Sequence, residues 1–456
     1  GMNNFVYQFI GDKFPNDIPF DSSQVDVAYI DIEVESDSGF PEPSRADHPI
    51  TAITMVHNDG VYRTWSCIDY NNTRDDVLYI KCDTEEELLG KFIDHWRHWT
   101  PDVVSGWNSI TFDMTYLINR TINLFGDEEA RKFSPWGSIR PKDIVQKGGM
   151  KAQVYLIEGV EQLDYLDLFR KFTLNTLGQQ ESYRLDAISQ VELGEGKISY
   201  DEYDNLHTLY RLNYQKFIEY NIRDVELILR FEDKLKLLEL AVTLAYDTKS
   251  NFEDVFAQTR MWDAMTYSYL LEKNIIVPPR VIKEKDSAFE GAYVKEVQVG
   301  LHDWVASFDL NSLYPHLMMQ YNISPETLIE PQDYTEEMRE ILSQGVSVDT
   351  LLNKSVDTSG LVNATLTPNG QFFRTDIQGF LPRMMEEMYT DRSKFKKLML
   401  QAKQEYENEK DNSKKYEIEK RIAKFNNIQL AKKVSLNSAY GALGSQYFRF
   451  YDLRMA

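Results

Sequence analysis

The sequence predicts an α/β protein of several domains, and three observations predict it. At 456 residues the chain is too long for one ordinary hydrophobic core, so about two to four domains are expected. Apolar strand-like runs at 25–34, 53–56 and 102–108 are interspersed with amphipathic helical patterns at 85–99 and 211–237. Further on, one long helical pattern from Phe380 through Lys396 and another from Lys414 to Tyr440 are joined by a polar turn at 409–413, the pattern of an antiparallel helical hairpin.

Composition narrows the function. No run reaches the apolar length that spans a bilayer, and the start shows neither a basic region nor an apolar signal region. Gly1 precedes Met2, which reads as the natural start. Cys67 and Cys82 are the only cysteines, which excludes a disulfide framework and a cysteine-based zinc site. A formal net charge of −22 argues against broad non-specific binding to nucleic acid. Charge is uneven, however: between Asp391 and Lys433 there are thirteen Lys/Arg against seven Asp/Glu. A polyanion would go there, although a solvated pair of charged helices gives the same pattern.

In order along the chain, residues 25–34 read as a central strand, apolar on both faces. Asp31 and Glu33, two residues apart, point to one face with no basic residue nearby in sequence. Two such carboxylates either share a proton or hold a metal. His95 and His98, one turn apart beside Trp96 and Trp99, read as an aromatic helix face and not as ligands. Residues 102–108 read as a buried strand entering a tight turn, and Phe112-Asp113 opens a helix. Asp113 alone would only charge that helix's N-terminus.

The helix expected over 211–237 places Tyr220 and Asp224 one turn apart among Phe217, Ile218, Val225 and Ile228. Asp31, Glu33, Asp113 and Asp224 together are enough carboxylates for two divalent ions, with Tyr220 set to orient a water. Two metals about 3.5–4 Å apart stabilise both the attacking and the leaving oxygen of a phosphoryl displacement. The residues therefore read as a nuclease.

Asp31-Ile32-Glu33, Ser105-Gly106-Trp107-Asn108 through Phe112-Asp113, and Tyr220-Asn221-Ile222-Arg223-Asp224 resemble the three exonuclease motifs of family B DNA polymerases, in order and spacing. The resemblance implies an RNase H-like domain that removes nucleotides from a 3′ end. Asp31 would bridge two Mg²⁺ ions, with Mn²⁺ as the alternative. Glu33 and Asp224 would complete the first site, Asp113 would hold the second through water, and Tyr220 would position the nucleophile. Asn108 and Phe112 would contact DNA. Between the second and third motifs, 163–169 is expected to be a strand with Asp164 and Asp167 structural, and 182–186 is similar to the T-even bacteriophage branch. Gly194-Glu195-Gly196-Lys197 lacks the spacing of a phosphate loop and is expected to be a turn.

Residues 238–279 are helical in pattern and end in the linker-like Val277-Pro278-Pro279. Phe289-Glu290-Gly291-Ala292 resembles the family's loop between exonuclease and polymerase domains, where Gly291 would let DNA approach the backbone. Ser307-Phe308-Asp309-Leu310-Asn311-Ser312-Leu313-Tyr314-Pro315 reads as an apolar strand ending in one carboxylate, which is costly to bury unless a cation sits on it. It resembles the first palm motif. The resemblance implies that Asp309 binds catalytic metals, that Leu310, Ser312 and Leu313 lie against a triphosphate, and that the Tyr314 ring blocks a ribose 2′-OH. Residues 327–367 are uninformative. Lys433, Asn437, Tyr440 and Gly441 resemble the fingers motif, implying that Arg392, Lys396 and Lys433 grip the dNTP, that Asn437 and Tyr440 face the nascent base pair, and that Gly441 contacts DNA.

The expected organisation is a remnant N-terminal domain (1–24), an exonuclease domain (25–237), a helical linker (238–280), the first part of a palm with a mixed sheet and helices (281–378), antiparallel helical-hairpin fingers (379–445) and the start of a second palm part (446–456). In the family an Asp-Thr-Asp turn and a thumb follow the fingers, and neither occurs before Ala456. The expectation is the N-terminal product of a split polymerase or a shortened chain, needing a separate C-terminal polypeptide for polymerisation and reaching a sliding clamp through it. Expected partners are single-stranded 3′ ends, primer-template DNA and dNTP, with no membrane, in the cytoplasm of a host cell if the chain is of phage origin. Two other readings stay open: a non-catalytic scaffold derived from a polymerase, and a stand-alone repair exonuclease.

Overall fold

A computed structural model describes residues 5–14, 21–35, 39–145, 149–281 and 294–456. The chain divides into two compact units, Pro19–Val242 and Gly1–Ile18 with Thr243–Ala456.

The first unit is built on a six-stranded mixed sheet. Its strands are β1 (Val27–Val34), β2 (Ile50–Val56), β3 (Tyr62–Ser66), β4 (Val77–Lys81), β5 (Val103–Ser105) and, beyond a separate hairpin of β6 (Ile139–Val145) and β7 (Lys151–Ile157), β8 (Glu161–Gln162). The order across the sheet is β4-β3-β2-β1-β5-β8. β2 runs antiparallel to β1 and β3, while β4 with β3, β5 with β1 and β8 with β5 are parallel. β1 therefore has a neighbour on each side, which accounts for its two apolar faces.

Alternation along β1 divides its side chains. Ala28, Ile30 and Ile32 enter a core with Leu88, Leu89, Phe92 and Ile93 of the helix Glu85–His98 and with Met114, Leu117 and Ile118 of the helix Asp113–Phe125. Asp31 and Glu33 fall on the opposite face, where Asn221 of the helix Tyr214–Leu235 reaches Asp31. The helix Glu85–His98 begins where the Thr84 side chain accepts the Glu87 N–H and carries three glutamates in its first turn. Its His95 ring packs against His57 and Trp65, as an aromatic helix face should.

Two expectations for this unit are corrected. Residues 211–237 are not one helix: the chain breaks at Asn213, whose side chain accepts the Lys216 N–H at 3.1 Å and caps the helix Tyr214–Leu235 after the helix Leu206–Leu212 has ended. Residues 163–169 are not a strand either, because a helix occupies Tyr165–Leu177. Asp164 stops extended structure there by accepting the Leu166 N–H at 3.0 Å, and Tyr165, Leu166, Leu168 and Phe169 are buried as a helical face.

The second unit is largely helical. The helices Gln258–Glu272, Leu313–Tyr321, Phe380–Asn408 and Asn412–Leu443 share a core of Trp262, Met318, Met385, Leu436 and Phe448. The last two form the hairpin expected from two long helical stretches joined by a polar turn. Lys432 lies buried between its two helices, paired with Asp391 at 3.4 Å and with Asp247 at 2.8 Å. Residues 327–367 contribute Met338, Ile341, Val356 and Leu366 to a satellite core that Phe372 completes.

The sheet expected over 281–378 is small. Among the described residues it is the antiparallel pair of β9 (Ala364–Leu366) and β10 (Phe372–Arg374). Ser307–Pro315 likewise departs from the expected apolar strand. Phe308 and Leu310 are 93 % and 70 % exposed, Asp309 is exposed, and the helix starts at Leu313. No described strand lies alongside to pair with residues 307–310, and an apolar run without a ladder partner has nothing to hold it as a strand.

Candidate active site

The first unit brings three of the predicted acids to one point. Ligand oxygens of Asp31, Glu33 and Asp224 all lie within 4.8 Å of one another. Asp31 and Glu33 come from the same face of β1, and Asp224 comes from the buried side of the helix Tyr214–Leu235. Asp113, at the start of its helix, is also buried, and its Oδ1 accepts the Ile32 N–H at 2.9 Å, between the two acids of β1. It stands outside the group of three and ties the second motif to the first.

Charge here is expensive. Burial, then Asp224, Asp113 and Glu33, push the Asp31 carboxyl well above the usual range. Burial and Asp224 raise Glu33 to about 8, and burial raises Asp113 to about 7. Asp224 is raised by burial against the pull of Lys197. Its Oδ1 is buried with no hydrogen-bond partner. Clustered acids with an unspent buried oxygen are the donor set of a hard divalent cation, and the residues fit one.

A cation of the protein's own is already present. Lys197 Nζ pairs with Asp224, donates to the Tyr220 hydroxyl at 3.0 Å and lies 4.9 Å from the centre of the Tyr220 ring. Burial works against its charge, but Asp224, Tyr220 and Asp31 outweigh this and hold it well above the usual lysine range. The expected turn at 194–197 is there, with Gly194 closing the helix Leu185–Leu193 in the left-handed region. A Cβ on Gly196 would collide with Gln190 and Asp186, while Asp186 accepts the Lys197 N–H at 2.8 Å. The turn thus aims Lys197 into the site, a role the missing phosphate-loop spacing concealed.

Asn221 is the second residue that sequence reasoning passed over. Its Nδ2 donates to Asp31 Oδ2 at 2.8 Å, and its Oδ1 accepts from Thr54, which is linked at 2.9 Å to Thr64. The available signal was an amide on the apolar face of a helix, which needs a partner when buried. Asp164 is structural, as expected. It accepts N–H groups from Asn108 at 3.0 Å and Ile110 at 3.2 Å, as well as from Leu166, and so fixes the turn after β5. Gly106 in that turn has no room for a side chain, since a Cβ would fall 2.7 Å from the Ile30 carbonyl oxygen.

Asn108 lines a cavity of about 640 Å³ together with Asp31, Trp107, Arg170, Tyr183 and Lys197. Phe112 is half-buried, its ring 5.1 Å from Phe40 and 5.8 Å from Tyr116.

In the second unit the predicted nucleotide-site residues gather only in part. The Tyr314 and Tyr440 rings stack with centres 4.7 Å apart, and Arg392 Nη1 donates to Ser312 Oγ at 3.2 Å. Ser312 has φ of 53°, outside the strand region. Lys396, Lys433, Asn437 and Gly441 are exposed on the hairpin. Leu310 and Leu313 are also exposed, and Asp309 has no companion acids: among the described residues the one group of three or more metal-competent side chains is that of Asp31, Glu33 and Asp224. Gly291 lies outside the described residues.

The model for the exonuclease domain of DNA polymerase family B matches residues 11–188, and that for DNA polymerase family B matches residues 257–456. The DNA-directed DNA polymerase of Escherichia phage RB69 is 31% identical over 100% of this chain and 55% of its own length, and that of Enterobacteria phage T4 is 30% identical over 100% and 56%. The DNA polymerase delta catalytic subunit of Glycine max is 29% identical over 80% of this chain and 31% of its own. The chain spans about half the length of the phage relatives it matches. With both family models lying in order along it and the acids of the first unit converging, the chain belongs to DNA polymerase family B.

Proposed function

We propose that the unit Pro19–Val242 is an RNase H-like 3′–5′ exonuclease. The convergence of Asp31, Glu33 and Asp224 on one buried point carries the reading, because a scaffold has no physical need to hold three mutually repelling acids together. Asp31, Glu33 and Asp224 would hold Mg²⁺, with Mn²⁺ as the alternative and a second ion shared with Asp113. Bound divalent ions supply charge stabilisation to the attacking and leaving oxygens of the displacement.

The chain's own residues do the rest. Tyr220 presents its hydroxyl to the attacking water, and Lys197 steadies that hydroxyl and offsets the negative charge that builds up on the phosphate. Asn221 fixes the Asp31 carboxylate in place. Water forms the new P–O bond, the bond to the 3′ oxygen of the preceding nucleotide breaks, and a nucleoside 5′-monophosphate leaves.

The second unit is read as the first part of a palm and as fingers, where Arg392, Lys396 and Lys433 would receive a triphosphate and the Tyr314 ring would exclude a 2′-OH. Asp309 would supply one carboxylate to a metal pair, and nucleotide addition would draw its further acids from another polypeptide segment.

The test is release of label from 3′-end-labelled single-stranded DNA in Mg²⁺, comparing the protein with Asp31→Ala/Glu33→Ala. The unaltered protein is expected to shorten the strand and the double variant to lose at least about 10³-fold in rate. An intact 3′ end, or equal degradation by the variant, overturns the reading.

A further inference from the structure

The cavity beside the acids has a second polar end that the exonuclease chemistry leaves unused. Arg170 projects into it from the helix Tyr165–Leu177. Its guanidinium lies 4.9 Å from the centre of the Tyr183 ring, which the chain holds through the Trp107 Nε1–H donated to the Tyr183 carbonyl at 3.0 Å. Trp107 is braced in turn by Phe169 and Phe231, with ring centres at 6.0 Å and 5.5 Å. Arg170 is therefore held on a rigid aromatic support. Yet its Nε is buried without a hydrogen-bond partner, and its ion pair with Asp167 is long, at 3.8 Å.

An arginine held against a ring, its donors largely unspent, in a cleft of a protein with a net charge of −22, calls for an anion with paired oxygens. Acids and Lys197 define the place of the reacting phosphate, and Arg170 lines the same cavity of about 640 Å³, a size that takes more than a single phosphate group. We propose that Arg170, supported by Tyr183, binds a backbone phosphate of the single strand upstream of the bond that is cut. This rests on the exonuclease reading and adds to it a positioning subsite for single-stranded DNA. Such a contact reads the backbone and not the bases, so it is independent of sequence.

Two measurements test it on the full chain with Arg170→Ala and Arg170→Lys. The first is hydrolysis of an oligothymidylate against the p-nitrophenyl ester of thymidine 5′-monophosphate, which has no upstream phosphate. Arg170→Ala is expected to raise KM for the strand about tenfold with kcat nearly unchanged, to leave the ester untouched, and to be largely rescued by Arg170→Lys. The second is fluorescence anisotropy of the labelled oligothymidylate across salt concentrations. Loss of one phosphate contact is expected to flatten the slope of log K against log salt by about 0.7. Equal loss on strand and ester, or an unchanged salt slope, overturns the assignment. Should the unaltered protein hydrolyse neither substrate, the exonuclease reading fails, while the salt slope still decides whether Arg170 holds phosphate.

Discussion

At the scale of single residues, the acid group stores an electrostatic cost that its function would relieve. Glu33 is raised from 4.5 to about 8 by burial and by Asp224, with Asp31 and Asp224 raised beside it. A carboxyl whose folded pKa lies above its unfolded value favours folding below the unfolded pKa and loses that contribution as pH rises through the folded one. Without metal, the first unit should therefore lose stability between about pH 4.5 and pH 8. Urea denaturation in a chelator at pH 6 and pH 8.5 is expected to show a lower midpoint at the higher pH. Glu33→Gln should narrow the gap and Mg²⁺ should close it. A midpoint that rises with pH in the chelator would contradict this account of the site.

At the scale of elements, the turn after β5 and the helix Tyr165–Leu177 are locked by one side chain. Asp164 accepts three backbone N–H groups while buried, and burial raises it to about 7. Asp164→Ala removes a helix cap and leaves buried donors unpaired, so a loss of about 2–4 kcal/mol is expected by urea denaturation. Asn108 and Arg170 sit on the two elements it joins, so exonuclease rate should fall as well. Asp167, three residues on and exposed, serves as the control: Asp167→Ala should change stability by less than about 0.5 kcal/mol. The helical hairpin was legible in the sequence because two long runs, 383–408 and 412–440, contain neither Gly nor Pro and are joined by a short polar turn. Neighbouring lysines within it were not separable that way: Lys432 is a buried partner of Asp247 and Asp391, whereas Lys433 is exposed.

At the scale of the whole molecule, the two units differ in how their acids are placed. The first unit gathers its acids and its own lysine into one site, whereas Asp309 in the second is exposed on an unpaired segment. The expected outcome of a primer-extension assay with Mg²⁺ and dNTP is shortening of the primer without extension. Robust extension by residues 1–456 alone would overturn the single-carboxylate argument for the second unit. The sequence by itself determined the family, the strand that bears Asp31 and Glu33, the helix that bears Tyr220 and Asp224, and the hairpin. Each of these is written in contiguous motifs, in a local period of two or 3.6 residues, or in long runs free of Gly and Pro. Only the tertiary structure decided that Lys197 and Asn221 serve the acid site, that Asp164 caps a helix where a strand was expected, and that Asp309 lies exposed. Those outcomes depend on partners distant in sequence: Lys197, in a turn, meets an acid on the helix Tyr214–Leu235, Asn221 meets β1, and the segment before Tyr314 has no described strand to pair with.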